Sequence, residues 1–287
     1  MLGLGCVIIF ILLILFQRGG AFTSLFDIRA GMLVLGGTMA AVAFSFPMST
    51  IIAMPRLFLL AVFGENMHMP TVVAQLVKAS DRVRMSGRAA AVGAPRDVDD
   101  AFMRTGLEFV SAGLDPSEIR ALLDSELSAI RSRHRMGIGL FESLGGFAPT
   151  FGILGTVEAM IAILGNLTTP DKLGPEIALA MVATLYGVGF ANLLFVPVST
   201  RLRKLSEEEL RARQLILEVI VSIQEGAKPE FIRERLRVSL PPETRRTIAA
   251  LSERKAKKRK TAVMEQQPMM DYQDDMMGSV PMDGDLY

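Results

Sequence analysis

Hydrophobic positions along the chain fall into four long runs separated by charged segments. Met1–Phe16 (MLGLGCVIIFILLILF) carries no charge and stops at Gln17-Arg18. Ala30–Pro55 is uncharged and stops at Arg56. A third run lies between Glu142 and Asp171 and holds one charge, Glu158. Ile177–Pro197 is uncharged and stops at Arg201. A bilayer core takes about 20 apolar residues per helix, so each run is expected to span a membrane. Met1–Phe16 lacks a basic leader and a clean small-residue cleavage pattern, so it is expected to be a retained helix rather than a signal peptide.

The polar segments read as helices too. Pro70–Ala91 places Val72, Val73, Leu76 and Val77 on one side, and Gly93–Pro95 breaks the pattern. Asp97–Val110 begins with acids, as the helix dipole favours. Ser111–Leu114 reads as a turn. Asp115-Pro116-Ser117-Glu118 then supplies an N-cap, a proline at the first helical position and an acid at the third. The helix it opens has Ile119, Leu122, Leu123, Leu127 and Ile130 as its apolar face. It meets no firm breaker before Gly137 and is expected to run close to the third span. Arg201–Gln224 is expected to continue the fourth span as a helix. Lys228–Pro242 and a short helical stretch near Thr244–Lys258 follow. Arg254–Lys260 is basic, and residues 264–287 are Met-rich, acidic and low in complexity. The basic run is either a solvated tail or a membrane-surface contact; the acidic stretch reads as disordered.

The predicted architecture is therefore all-α: a polytopic membrane protein with four transmembrane helices and a cytoplasmic helical domain. Its divisions are residues 1–55, 56–141, 142–200, 201–260 and a tail at 261–287.

Composition supports this. Half of the 287 residues are hydrophobic, and mean hydropathy is +0.37. One Cys and two His exclude a disulfide framework and make a metal site of several such ligands improbable. The net charge of +1 gains meaning only by location. Of 31 Lys and Arg residues, 28 lie in residues 51–145 and 201–287. The positive-inside rule puts those segments, and both termini, in the cytoplasm. The same side holds 26 of 30 acids, so it is densely charged and nearly balanced. Such a face suits a charged protein partner and not nucleic acid. Phosphate-binding loops, nucleophile elbows and metalloprotease motifs are absent, so no enzyme activity is expected.

Spans three and four carry the informative residues. Pro149 and Pro197 each remove a backbone hydrogen bond. They read equally as ordinary membrane-helix kinks and as hinges. Thr156, Thr184 and Asn192 put side-chain oxygens into apolar spans, where they either bond across helices or line a hydrated path. Glu158 is the one acid within a span; it is either an interfacial, snorkelling carboxylate or part of an ion path. Gly37-x-x-x-Ala41 and Gly187-x-x-x-Ala191 have the spacing that lets backbones approach.

These residues carry a resemblance. Gly36-Gly37-Thr38, Phe46-Pro47, Asp115–Gly137, Leu173-Gly174-Pro175, Ala183-Thr184-Leu185-Tyr186-Gly187, Ala191-Asn192 and Pro197 resemble the A subunit of the bacterial flagellar stator, the MotA/PomA family. The likeness covers roughly residues 1–225 and looks nearest to the sodium-using PomA branch. It implies an ion-driven rotary motor in the bacterial inner membrane. Five A subunits would surround two single-span B subunits of the MotB/PomB kind, which supply the ion-carrying aspartate. The transported ion would be Na+ or H+, with no other cofactor, and the partners would be the B subunit, the rotor switch protein and membrane lipid. Matched by position, Pro149 and Pro197 would be the torque prolines, and Thr156 and Thr184 the threonines linked to sodium use. Glu158 stands where an apolar residue is usual, and Ala183 stands where the sodium branch has another threonine. Arg84 falls at a rotor-facing arginine, but Val92 occupies the position of the matching acid. Arg88, Asp97, Asp99 and Asp100 are nearby charges able to substitute. Two other readings remain open at this point: an ExbB/TolQ-like energiser of an envelope process, which typically has three spans, and a non-transporting scaffold.

Overall fold

The computed structural model describes residues 26–64, 69–93, 98 and 100–239. The expected first span, the Thr244–Lys258 helix, the basic run, the tail, Asp97 and Asp99 all lie outside the described residues. Among those described, every regular element is helical. Three helical stretches are long and apolar enough to cross a membrane.

The first stretch, α1, is Ile28–Ser45, with a π-helical turn at Met32–Gly36. Asp27 caps it, its Oδ1 accepting from Arg29 N at 2.7 Å and Ala30 N at 3.1 Å. At 18 residues it is about 27 Å long, enough for a bilayer core. The apolar run predicted as one span to Pro55 is in fact broken. Phe46 is extended (φ −125°, ψ 149°), because a residue preceding proline is pushed out of the helical region. Beyond Pro47 come two short helices, α2 (Met48–Ile52) and α3 (Met54–Phe63).

The element α4, Met69–Ser86, is shorter than predicted. It stops at Gly87, whose φ of +81° L side chains rarely adopt. A single 3-10 turn follows at Arg88–Ala90. The helix α5, Ala101–Ala112, starts later than expected, because Asp100 is its cap and not part of it. Asp100 Oδ1 accepts from Met103 N at 2.8 Å. The predicted turn begins two residues late: Gly113 adopts φ +76° and closes α5 with a bond from Leu114 N to Phe109 O.

The expected start at Asp115 is realised in detail. Glu118 reaches back so that Asp115 N donates to its Oε2 at 3.2 Å, the returning half of a capping box. The helix α6 then runs unbroken for 50 residues, Pro116–Gly165, joining the polar helix to the third span. The fourth span does the same: α7 (Pro170–Gly189) passes through a π-helical stretch at Phe190–Phe195 into α8 (Val196–Gln224). Last described is α9, Pro229–Ser239.

The chain forms two compact units. One comprises residues up to Met67 and Arg120–Leu217; the other comprises His68–Ile119 and residues from Glu218 onward. The first unit has two apolar clusters. Val42, Leu140, Phe141, Leu144, Ala148, Ala191 and Phe195 form one, joined by α3 through Ala61. Ala30, Val34, Ala159, Leu179, Ala180, Val182 and Ala183 form the other. These clusters hold α1, α6 and α7 together. In the second unit, Arg233 of α9 pairs with Asp81 of α4 at 2.8 Å. Arg235 donates to Ser222 Oγ at 2.9 Å and pairs with Glu218 at 3.2 Å.

Candidate functional site

The candidate site is the crossing of α6 and α7. Its closeness follows from glycine. A Cβ on Gly187 would lie 2.6 Å from Ala148 O and 2.9 Å from Gly152 Cα. A Cβ on Gly155 would lie 2.6 Å from Ala183 Cβ and 2.9 Å from Leu33 Cδ2 of α1. On α1, Gly37 leaves the space filled by the Phe151 ring. The Gly187 motif therefore marks a real backbone approach, while Gly37 admits an aromatic ring.

The threonines belong to this crossing. Thr184 Cα faces Gly152, 3.5 Å from where a Cβ would stand. Thr156 follows Gly155, which is packed on Ala183. So Thr156 and Thr184 flank one helix contact, a proximity their spacing of 28 positions does not disclose. Each hydroxyl donates within its own helix: Thr156 Oγ1 to Ile153 O at 2.6 Å, Thr184 Oγ1 to Ala180 O at 3.3 Å. Their oxygens keep lone pairs free to accept a proton or coordinate a hard cation. Asn192 likewise donates to Val188 O at 3.0 Å. Ala183 is buried against Gly155, so its methyl fills the crossing itself. Glu158 is exposed. Beside these groups, Ile177, Met181, Leu185 and Val188 form an exposed apolar stripe along α7.

The two prolines are linked through one contact, that of Gly145 with Val196. Pro149 lies inside α6 and deprives the Gly145 carbonyl of its helical donor. A Cβ on Gly145 would lie 3.0 Å from Val196 Cγ2 and 3.8 Å from Val196 N, and Val196 precedes Pro197. Pro197 in turn frees the Leu193 carbonyl, inside the π-helical stretch Phe190–Phe195. Widening that turn gives the proline ring room against the preceding backbone. Nothing in the apolar pattern announces a π turn; the proline four residues after Leu193 is its only local signal.

Polar contacts flank this region. Tyr186 Oη accepts from Asp27 N at 3.4 Å, tying α7 to the start of α1. Arg203 of α8 is ion-paired with Glu142 of α6. Arg201 donates to Gly64 O at 3.3 Å. His134 of α6 hydrogen-bonds through Nδ1 to Ser206 Oγ at 2.9 Å. None of these pairs is local, and sequence reasoning missed all of them.

The expected rotor-contact residues lie in the second unit. Arg84 is exposed on the last turn of α4. Arg88 is on the 3-10 turn and donates to Gln224 O at 3.3 Å, at the end of α8. Ser111 Oγ donates to Ala89 O at 3.4 Å. Gly93, at φ +64°, lies directly against the Arg82 guanidinium. The loop carrying Arg88 and Val92 is thus held at both ends, while Asp100 is used as a helix cap. The structure places Pro149, Pro197, Thr156 and Thr184 on helices that pack together in the first unit; Arg84 and Arg88 stand in the other unit.

Helices long and apolar enough to cross a membrane, packed through glycine and carrying prolines within or just after their spans, have the architecture of an integral membrane protein. Comparisons with known proteins narrow the class. Residues 94–215 match the model of the MotA/TolQ/ExbB proton channel family. Uncharacterized protein YtxD of Bacillus subtilis is 34% identical over 81% of this chain and 86% of its own. Motility protein A of the same organism is 32% identical over 82% of this chain and 88% of its own. The flagellar MotAB stator complex from Bacillus subtilis contains a chain with a TM-score of 0.76 and 31% identity, covering 85% of this chain and 97% of that one. The chain belongs to the MotA/TolQ/ExbB proton channel family.

Proposed function

We propose that this chain is the ion-conducting A subunit of a bacterial flagellar stator, working with a MotB-like B subunit in the inner membrane. The observation that carries this reading is its similarity, over 85% of this chain and 97% of the other, to a chain of a stator complex. The geometry supplies a mechanism. The apolar stripe on α7 faces the B subunit. Thr156 and Thr184 border the path, and Glu158 stands towards its outer mouth. Sodium is the favoured ion, because two hydroxyl oxygens at one crossing suit a hard cation better than an all-carbon wall would. Pro149 and Pro197 act as paired hinges, letting the α6 and α8 extensions swing together as an ion binds and leaves. Both termini are cytoplasmic, and the second unit meets the rotor through Arg84. A ring of five copies surrounds the B subunits.

The test is deletion of the gene with complementation in its own cells. Flagella should assemble but not turn, and the intact chain should restore rotation. A deletion strain that swims normally, or one that swims but loses an envelope transport process, would overturn the stator reading in favour of the energiser.

A further inference from the structure

One titratable cluster joins α6 to α8 away from the glycine crossing, about four helical turns before Pro149. His134 of α6 has its Nδ1 2.9 Å from Ser206 Oγ, which is buried on α8. Its Nε2 lies 3.8 Å from Glu209, which also accepts from Arg213 at 2.8 Å. His134 borders a cleft of about 50 Å³ whose other walls include Leu57 and Leu60 of α3 and Leu202 and Leu205 of α8. The ring therefore meets an acid and a cation from α8, the Arg133 cation on its own helix, and only apolar lining from α3.

We propose that His134 is a positioning residue that makes the seating of α8 on α6 sensitive to pH: the neutral imidazole closes the contact through Ser206, and its protonation loosens it. The proposal rests on the stator reading for its consequence. Both helices carry a hinge proline, so acidification on the side where they emerge weakens the coupling of ion flow to torque.

The sign follows from the surroundings. Burial pushes the His134 pKa below 6.5; Glu209 opposes this, and Arg213 and Arg133 reinforce it. A group that binds protons less readily when seated than when free drives separation as protons are added. The stabilisation is fully present above pH 6.5 and is lost as pH falls through 6.5 towards the lower, seated value.

The test uses the full-length chain in its purified assembly, and separately cells with clamped internal pH. Thermal midpoints are measured between about pH 5 and pH 8 for the parent, His134→Gln, His134→Asn and Ser206→Ala. Asn keeps a polar atom near the Nδ1 position, so at least one variant should fold. The expected result is loss of the acid-side fall in midpoint in the His134 variants, with Ser206→Ala lowering the midpoint most at the alkaline end. Parallel curves for parent and His134 variants would overturn the proposal. In cells, the parent should slow more on internal acidification than His134→Gln or His134→Asn; equal slowing would also overturn it. If even the parent chain turns no flagella, the stator reading falls, while the midpoint curves still decide for or against the switch.

Discussion

Gly152 and Gly187 meet backbone to backbone, the Cα of the first standing 2.9 Å from where a side chain on the second would begin. The neighbouring obstacle, Ala148 O at 2.6 Å, is also backbone, so no side-chain rotation can make room. Gly187→Ala must push α6 and α7 apart, and overpacking of this kind costs about 1–3 kcal/mol. Thermal unfolding of the purified chain should show that loss, and motility should fall with it. Gly174→Ala is the control, since nothing stands within 4 Å of its would-be side chain; equal tolerance of both changes would show that the close crossing is unimportant.

The hinge reading makes a separate prediction. Pro149→Ala restores a donor to the Gly145 carbonyl, and Pro197→Ala restores one to Leu193. Each change should stabilise its helix locally and still impair rotation under load. Thr184→Ala should lower torque without lowering the amount of chain in the membrane, because its hydroxyl bonds only to its own helix. Bead assays on tethered flagella read torque directly, and normal torque in all three variants would remove these residues from the mechanism.

The apolar pattern made α6 legible because its start is written locally, in Asp115, Pro116 and Glu118, and nothing afterwards forbids a helix except Pro149, which a long helix absorbs. It misjudged the second span because hydropathy does not register that Phe46 must leave the helical region ahead of Pro47. The π turn at Phe190–Phe195 depends on how the backbone accommodates Pro197, which composition cannot express; the one at Met32–Gly36 has no proline beside it and no signal in the sequence. Individual site residues were visible as polar atoms in apolar runs. Their grouping was not: the Thr184 backbone packs on Gly152, one turn before Thr156, and His134 meets Ser206 across 72 positions. Contacts of that kind carry no spacing rule.

Ion choice is open to direct measurement. With two hydroxyls at the crossing but a methyl at Ala183, sodium should drive the motor. Swimming speed should fall as sodium is withdrawn at constant proton-motive force. A speed independent of sodium would assign the path to protons. Ala183→Thr is not a simple gain of ligand, because the added atoms meet Gly155 where the helices touch; loss of stability should accompany it.

The two arginines in the second unit should separate by mechanism. Arg88 donates to the Gln224 carbonyl at 3.3 Å, where a cation also complements the negative end of the α8 dipole. Arg88→Ala should therefore destabilise that unit modestly, by about 0.5–1.5 kcal/mol for one lost hydrogen bond. Arg88→Lys should recover part of this. Arg84 is exposed on the last turn of α4, so Arg84→Glu should leave the thermal midpoint unchanged and weaken motility by reversing the charge shown to the rotor. Compensating charge reversals on the rotor surface should rescue Arg84→Glu and not Arg88→Glu, because only the former loss lies in recognition. Rescue of Arg88→Glu instead would move the contact one turn along the loop and make the bond to Gln224 incidental to rotation.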